Sequence, residues 1–393
     1  MESNTNAVGK QNTRRAKAEH TTMVVKTSKN DQASSSTVAV EASVPFLEVP
    51  RDDEDWRFAQ SFAPVGQEAE ARRFYEEYGF AVFRDVLTAE ETEASRSEIL
   101  SYIERTVEGF EAEEPQTWAV WKSKQFGMPA PDPAAWWQPQ LCRNRCNPRV
   151  AAGFAQLLQC APETLRCNHD RWALYRVGVK TRRNVHLDIS PWAYQNDHAA
   201  IAARRAENSY ASHDDLYGGV ESNLVSSANG PHLQGTLALL PNLEHDAGFL
   251  CVPGSHRTFD EWVAQLDSSA RGGARHDFPE HSHMMSLAQR VPVREGSLIV
   301  WDVRLAHGSQ PDQSERGAEC RARFVQFVTL RSAQIYDEQQ MTRRSALVSR
   351  LFAAHSVQEP ADPLQRAVAG LVVGGRAAGG QEATGEEGAR EQR

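Results

Sequence analysis

Nowhere in the 393 residues does an apolar run approach the roughly 18–20 residues that a membrane span needs. Positive charge is also short. Lys and Arg number 43 against 52 Asp and Glu, a net charge of −9, so there is no basic footprint for a nucleic-acid partner. The opening stretch, MESNTNAVGKQNTRRAKAEH, lacks the apolar h-region of a secretory signal. Its basic residues would suit an organelle-targeting segment, but Glu2 and Glu19 count against that, and a cytoplasmic protein is expected. Cysteine is sparse. Six residues, at 142, 146, 160, 167, 251 and 320, fit neither a dense disulfide framework nor a paired CxxC zinc site. Reduced thiols are the expectation.

What is present is an ordinary soluble composition, 40% apolar and 24% charged, which can support a sizeable core. Residues 1–45 are polar and poor in aromatics, and residues 369–393 are Gly-rich and charged. Both ends read as disordered, leaving one folded domain over 46–368. The domain opens with EAEARRFYEEYGFAVFRDVLTAEE. Its pattern predicts a helix over 68–78, a C-terminal cap at Gly79, a strand in FAVFRDV, and a second helix begun by the Thr88/Glu91 capping box. Further on, RWALYRVG, NVHLDI, LQGTLALL, GFLCVP, GSLIVW and RFVQFVTL are short apolar runs broken by Gly, Pro and Asn. They predict a mainly β fold, a sandwich or jelly roll with flanking helices.

One of these runs carries an oddity. In NVHLDISPW, His186 and Asp188 stand two apart, so on a strand both side chains leave the same face. Two ionisable groups on a core face are costly unless something binds them. Two histidines and one carboxylate with open positions suit non-haem Fe(II). With 13 histidines, proximity in sequence cannot choose the third ligand. GSLIVWDVRLAHGSQP offers the strongest candidate, His307, at the far end of a strand-like run beside Gly308. Arg321 and Arg323 follow, also two apart. A buried guanidinium there needs a planar anion, and a carboxylate co-substrate would supply one.

Taken in order, FYEEYGFAVFRDVLTAEE, HLD, DAGFLCVPGSHR, and HGS followed by a strand arginine resemble the phytanoyl-CoA dioxygenase family of Fe(II)/2-oxoglutarate-dependent oxygenases. The resemblance spans about residues 70–330. It implies a double-stranded β-helix core of the jelly-roll or cupin-like kind. It implies Fe(II) held by His186, Asp188 and His307, with 2-oxoglutarate and O2 as co-substrates. Arg323 would anchor the far carboxylate of 2-oxoglutarate, with Ser309 adding a hydrogen bond. The stretch from His307 to Arg323 is longer than the family's usual spacing, which leaves Arg321 as a rival anchor. Because Asp188 is retained where halogenating relatives lack the carboxylate, hydroxylation or desaturation of a small molecule is implied. A non-catalytic binding module on the same barrel and an acyl-CoA hydroxylase are the alternatives. No CoA-type basic cluster stands out, and oligomeric state is not legible.

Trp192 either lines the pocket or packs. Arg304 either meets an acidic substrate or forms a salt bridge. Gln234, just past a polar insertion over 193–233, is a third candidate substrate contact. The insertion itself reads equally as a lid or as a solvated excursion. His256 in PGSHR is expected to hold a turn. RHDFPEHSH lacks a strand period and reads as a solvated loop in spite of its three histidines. At least one of Trp136 and Trp137 belongs to the core.

Overall fold

A computed structural model describes residues 44–122, 127–176, 179, 181–217, 224–266, 273–313 and 322–371, and the structural statements below concern these. The expected disordered ends lie outside the described residues except at their inner margins. There Val44 and Ala369 are both buried, so the packed chain runs slightly past both expected boundaries.

The entry follows the sequence closely. Ala71, Phe74 and Tyr75 put a buried stripe on the helix Glu68–Tyr78. The helix stops at Gly79, whose φ of 82° belongs to the left-handed region and whose N–H donates to the Tyr75 carbonyl at 2.8 Å. A side chain at Gly79 would overlap the ring of His256. His256 Nε2 in turn lies 3.3 Å from the Glu76 carbonyl oxygen, so this histidine ties the PGSH turn to the entry helix, as expected. The strand β1 (Phe80–Phe83) is shorter than the sequence suggested. The helix Ala89–Thr106 then opens on the Thr88/Glu91 capping box.

Twelve strands follow the chain: β1, β2 (Leu165–Cys167), β3 (Trp172–Tyr175), β4 (Asn184–Leu187), β5 (Leu233–Ala238), β6 (Gly248–Cys251), β7 (His276–Asp277), β8 (Gln289–Arg290), β9 (Leu298–Asp302), β10 (His307–Gln310), β11 (Arg323–Val328) and β12 (Leu330–Ser332). Ten of them build two antiparallel sheets, in the orders β1-β9-β5-β11-β3 and β7-β4-β10-β6-β8. Neighbours within each sheet are often far apart in sequence. This is the double-stranded β-helix expected from the sequence, mainly β with helices around it. One hydrophobic cluster joins the first sheet to the helices Glu68–Tyr78, Ala89–Thr106 and Pro148–Leu158 and takes in both Trp136 and Trp137. A second backs the other sheet with the helices Pro191–Asn196, Phe259–Ala264 and His283–Leu287.

Three readings of the sequence need correction. His307 does not end the GSLIVW strand. The chain turns at 303–306, crosses from the first sheet to the second, and His307 begins β10. His276 and Asp277 are not loop residues, because backbone pairing with β4 draws them in as an edge strand, with Asp277 opposite His186. The insertion after Trp192 is not simply solvated. It forms the helices Pro191–Asn196 and His198–Glu207, and it buries Tyr194, Ile201, Tyr210 and Leu216.

Candidate metal centre

The alternation of β4 explains the HLD oddity. Val185 and Leu187 point into the second hydrophobic cluster, whereas Asn184, His186 and, just past the strand, Asp188 point between the sheets. Pairing of β4 with β10 sets His307 directly opposite His186 and Ser309 opposite Asn184. Gly308 is required between them, because a Cβ there would overlap the Asn184 carbonyl. The three ligand-type side chains therefore meet. One donor atom from each of His186, Asp188 and His307 lies within 4.8 Å of the others. His186 Nε2 is 3.4 Å from Asp188 Oδ1, and His307 Nε2 is 3.5 Å from Asp188 Oδ2.

The surroundings fix which nitrogens are free. His186 Nδ1 is 2.9 Å from Asn184 Oδ1 and His307 Nδ1 is 2.9 Å from the Leu305 carbonyl oxygen. Both acceptors demand a proton on Nδ1, which leaves each Nε2 lone pair facing the centre. Burial pushes the His186 imidazole below its ordinary pKa, favouring the neutral ring. Burial alone would raise the Asp188 carboxyl, but His186 and His307 outweigh it and hold the group well below the usual carboxylate range. Neutral imidazoles with an ionised carboxylate are the protonation state a metal needs. Gln234 steadies the carboxylate, its Nε2 donating to Asp188 Oδ2 at 3.3 Å while its Oε1 accepts from Trp301 Nε1 at 3.1 Å.

The same cavity, about 610 Å³, is lined by Arg323 and Ser309. Arg323 begins β11, opposite Tyr175 on β3. Its guanidinium sits over the Tyr175 ring, 4.7 Å from the centroid, and is only 6% exposed as a residue, yet Nη1 has no hydrogen-bond partner. A buried cation with an unused donor is costly unless an anion meets it. Two imidazoles, a carboxylate and a buried guanidinium with a spare donor in one cavity fit Fe(II) together with a chelating dicarboxylate. Arg321, the rival anchor, lies outside the described residues.

Two candidate substrate contacts are elsewhere. Arg304 is held by Asp302 through bonds of 2.9 and 2.8 Å, so its charge is spent on a salt bridge. Trp192 packs against the second hydrophobic cluster and is not among the residues lining the cavity. Gln234 does line it. Sequence reasoning missed Asn184, which its position two before His186 could have revealed. It also missed Trp301 and Arg171, which only the assembled sheets bring to the cavity.

Residues 75–320 match the family model described as "Phytanoyl-CoA dioxygenase (PhyH)". The chain belongs to the phytanoyl-CoA dioxygenase family. A protein of Dictyostelium discoideum named "Putative phytanoyl-CoA dioxygenase" is 30% identical over 268 residues, covering 65% of this chain and 73% of that protein. Among solved structures, GlcNAc Inducible Gene 2 from Candida albicans is 12% identical with a TM-score of 0.48, over 87% of this chain and 83% of that one. The epimerase SnoN, solved with Fe3+, alpha ketoglutarate and nogalamycin RO, is 16% identical with a TM-score of 0.42, over 68% of this chain and 84% of that one. The chain is a dioxygenase that depends on Fe(II), 2-oxoglutarate and O2. Among the described residues, no helix is long and apolar enough to cross a membrane.

Proposed function

We propose that His186, Asp188 and His307 hold Fe(II), that Arg323 and Ser309 anchor 2-oxoglutarate, and that the enzyme hydroxylates a small molecule. The observation that carries this reading is the meeting of a His/Asp/His set with a buried guanidinium whose Nη1 has no partner, in one cavity. Fe(II) with 2-oxoglutarate and O2 supplies an oxidant that removes a hydrogen atom from the substrate, while 2-oxoglutarate leaves as succinate and CO2.

The chain's own residues do the rest. Asn184 and the Leu305 carbonyl hold the two imidazoles with Nε2 forward, and Gln234 holds the carboxylate. The Phe249 ring stacks and the Trp301 ring tilts beside His307, with centroids 6.1 and 5.0 Å away, and both rings line the cavity. Ser309 Oγ already accepts from Asn184 Nδ2 at 3.1 Å, which leaves its own proton free to donate to a carboxylate.

Anaerobic titration with Fe(II) and 2-oxoglutarate, followed by a succinate assay over candidate small molecules, tests the reading. A metal-to-2-oxoglutarate charge-transfer band is expected in the wild type and absent in His186→Ala. A band unchanged in that variant would remove His186 from the ligand set.

A further inference from the structure

The cavity has a charge surplus that iron and 2-oxoglutarate leave in place. Five arginines line it, at 171, 182, 183, 275 and 323, against three aspartates. Fe(II) adds two positive charges and 2-oxoglutarate removes two, so the loaded cavity still carries two in excess. Four of the arginines face other groups, Arg182 and Arg183 only in part. Arg323 is assigned above to 2-oxoglutarate. Arg275 donates twice to Asp277 Oδ1, at 3.0 and 2.7 Å. Arg183 donates to the Ala288 carbonyl at 2.7 Å, and Arg182 points to Glu280 at 3.5 Å with both side chains largely in water.

Arg171 differs from these. It stands one residue before β3, and its side chain is 25% exposed. The side chain is clamped: its carbon CZ lies 5.1 Å from the centroid of the Tyr217 ring, and Nε donates to the Met128 sulfur at 3.0 Å. Tyr217 is itself stacked on Trp136, with centroids 5.5 Å apart, and lies 6.3 Å from the His213 ring. The carboxylate nearest the Arg171 guanidinium is that of Asp170, 3.9 Å from Nε, and Asp170 Oδ1 is already taken by the Arg171 backbone N–H at 2.7 Å. Burial alone would lower the guanidinium's pKa, but Asp170, Tyr217 and the more distant Asp188 outweigh it, so the charge is secure. The insertion after Trp192 thus has a definite consequence, since it delivers the ring that holds Arg171 against the cavity. A stiffened guanidinium whose nearest carboxylate stands 3.9 Å off is arranged to receive a ligand.

We propose that Arg171, steadied by Tyr217, binds a carboxylate on the substrate, so that the enzyme oxidises a small free carboxylic acid whose apolar body lies toward Phe249 and Trp301. The inference rests on the site assignment under Proposed function. A single planar cation suits a monoanionic carboxylate, while Arg275 is spent on Asp277 and Arg323 is assigned to 2-oxoglutarate.

The test is a library of small carboxylic acids, each paired with its methyl ester and its CoA thioester, screened for stimulated succinate release. Free acids are expected to stimulate and their esters not. In Arg171→Gln, the KM for the best acid is expected to rise more than tenfold, with Arg171→Lys recovering part of the loss. Tyr217→Leu, which leaves the arginine in place, should weaken the same acid by a smaller factor. Calorimetric titration of that acid into the Ni(II)- and 2-oxoglutarate-loaded protein reads binding without turnover, and should follow the same order. All three variants should keep the wild-type charge-transfer band with Fe(II) and 2-oxoglutarate. If the wild type itself lacks that band, the iron and co-substrate reading fails instead. Stimulation by esters or thioesters as strong as by acids, stimulation by no acid, or unchanged affinity in Arg171→Gln would each overturn the proposal.

Discussion

Replacing Arg323 by Gln should have two effects of opposite sign. In the protein without co-substrate, Arg323 is a buried cation whose Nη1 bonds to nothing, partly offset by the Tyr175 ring beneath it. An unsatisfied buried donor costs about 1–3 kcal/mol, more if charged. A neutral, shorter side chain removes that cost at the expense of some packing, so the apo protein should melt no lower than wild type. With 2-oxoglutarate the balance reverses. Truncating one partner of a desolvated, hydrogen-bonded charge pair costs roughly 2–5 kcal/mol, a loss in affinity of over tenfold. A ligand at 100 times its Kd stabilises the fold by about 2.7 kcal/mol. That gain should be present in the wild type and nearly absent in Arg323→Gln at the same concentration. Differential scanning fluorimetry with Mn(II), with and without 2-oxoglutarate, measures both effects in one experiment. An apo melting temperature that falls by many degrees would mean Arg323 is a structural residue. An undiminished 2-oxoglutarate shift would place the anchor elsewhere, with Arg321 the first alternative.

Other outcomes follow from the same geometry. Asn184→Ala removes the acceptor of His186 Nδ1, and Fe(II) affinity by metal titration should fall about 10- to 100-fold with the fold intact. Gly308→Ala should be harsher, because the new Cβ overlaps the Asn184 carbonyl and forces β4 from β10; metal binding and melting temperature should fall together. Acid should destabilise the protein through three buried histidines. Burial lowers His213 and His232 to about 3 and His256 to about 4. The unfolded chain, with histidines near 6.5, then binds more protons than the folded one below that pH. The contribution is fully present above about pH 6.5 and is lost as pH falls toward 4, at up to roughly 1.4 kcal/mol per pH unit for each histidine. Chemical denaturation at pH 7, 6 and 5 should show this slope, and His256→Asn should flatten it by about a third.

Much of the fold was legible because its signals are local. A capping box, a glycine cap and a period-two strand depend on neighbours in sequence, so the entry helix, the Thr88 start and the inward face of β4 could be read directly. The family motifs likewise named His186, Asp188 and His307, because a strand holding two ligands must place them two apart. What the sequence could not decide were relations between distant segments. That His307 opens a new strand in the opposite sheet depends on a turn at 303–306 and on pairing with β4 and β6. That His276 and Asp277 form an edge strand depends on the free edge of β4, since two residues carry no period of their own. Arg304 and Arg171 are both arginines beside an aspartate, and nothing local separates them. Burial of Asp302 draws Arg304 into a salt bridge, while the insertion's Tyr217 leaves Arg171 clamped at the cavity. Sequence by itself determined which chemistry the chain carries, because ligand spacing is a property of one strand. Only the tertiary structure decided which charges remain free to meet a ligand, because a charge is spent or spared by partners that lie tens or hundreds of residues away.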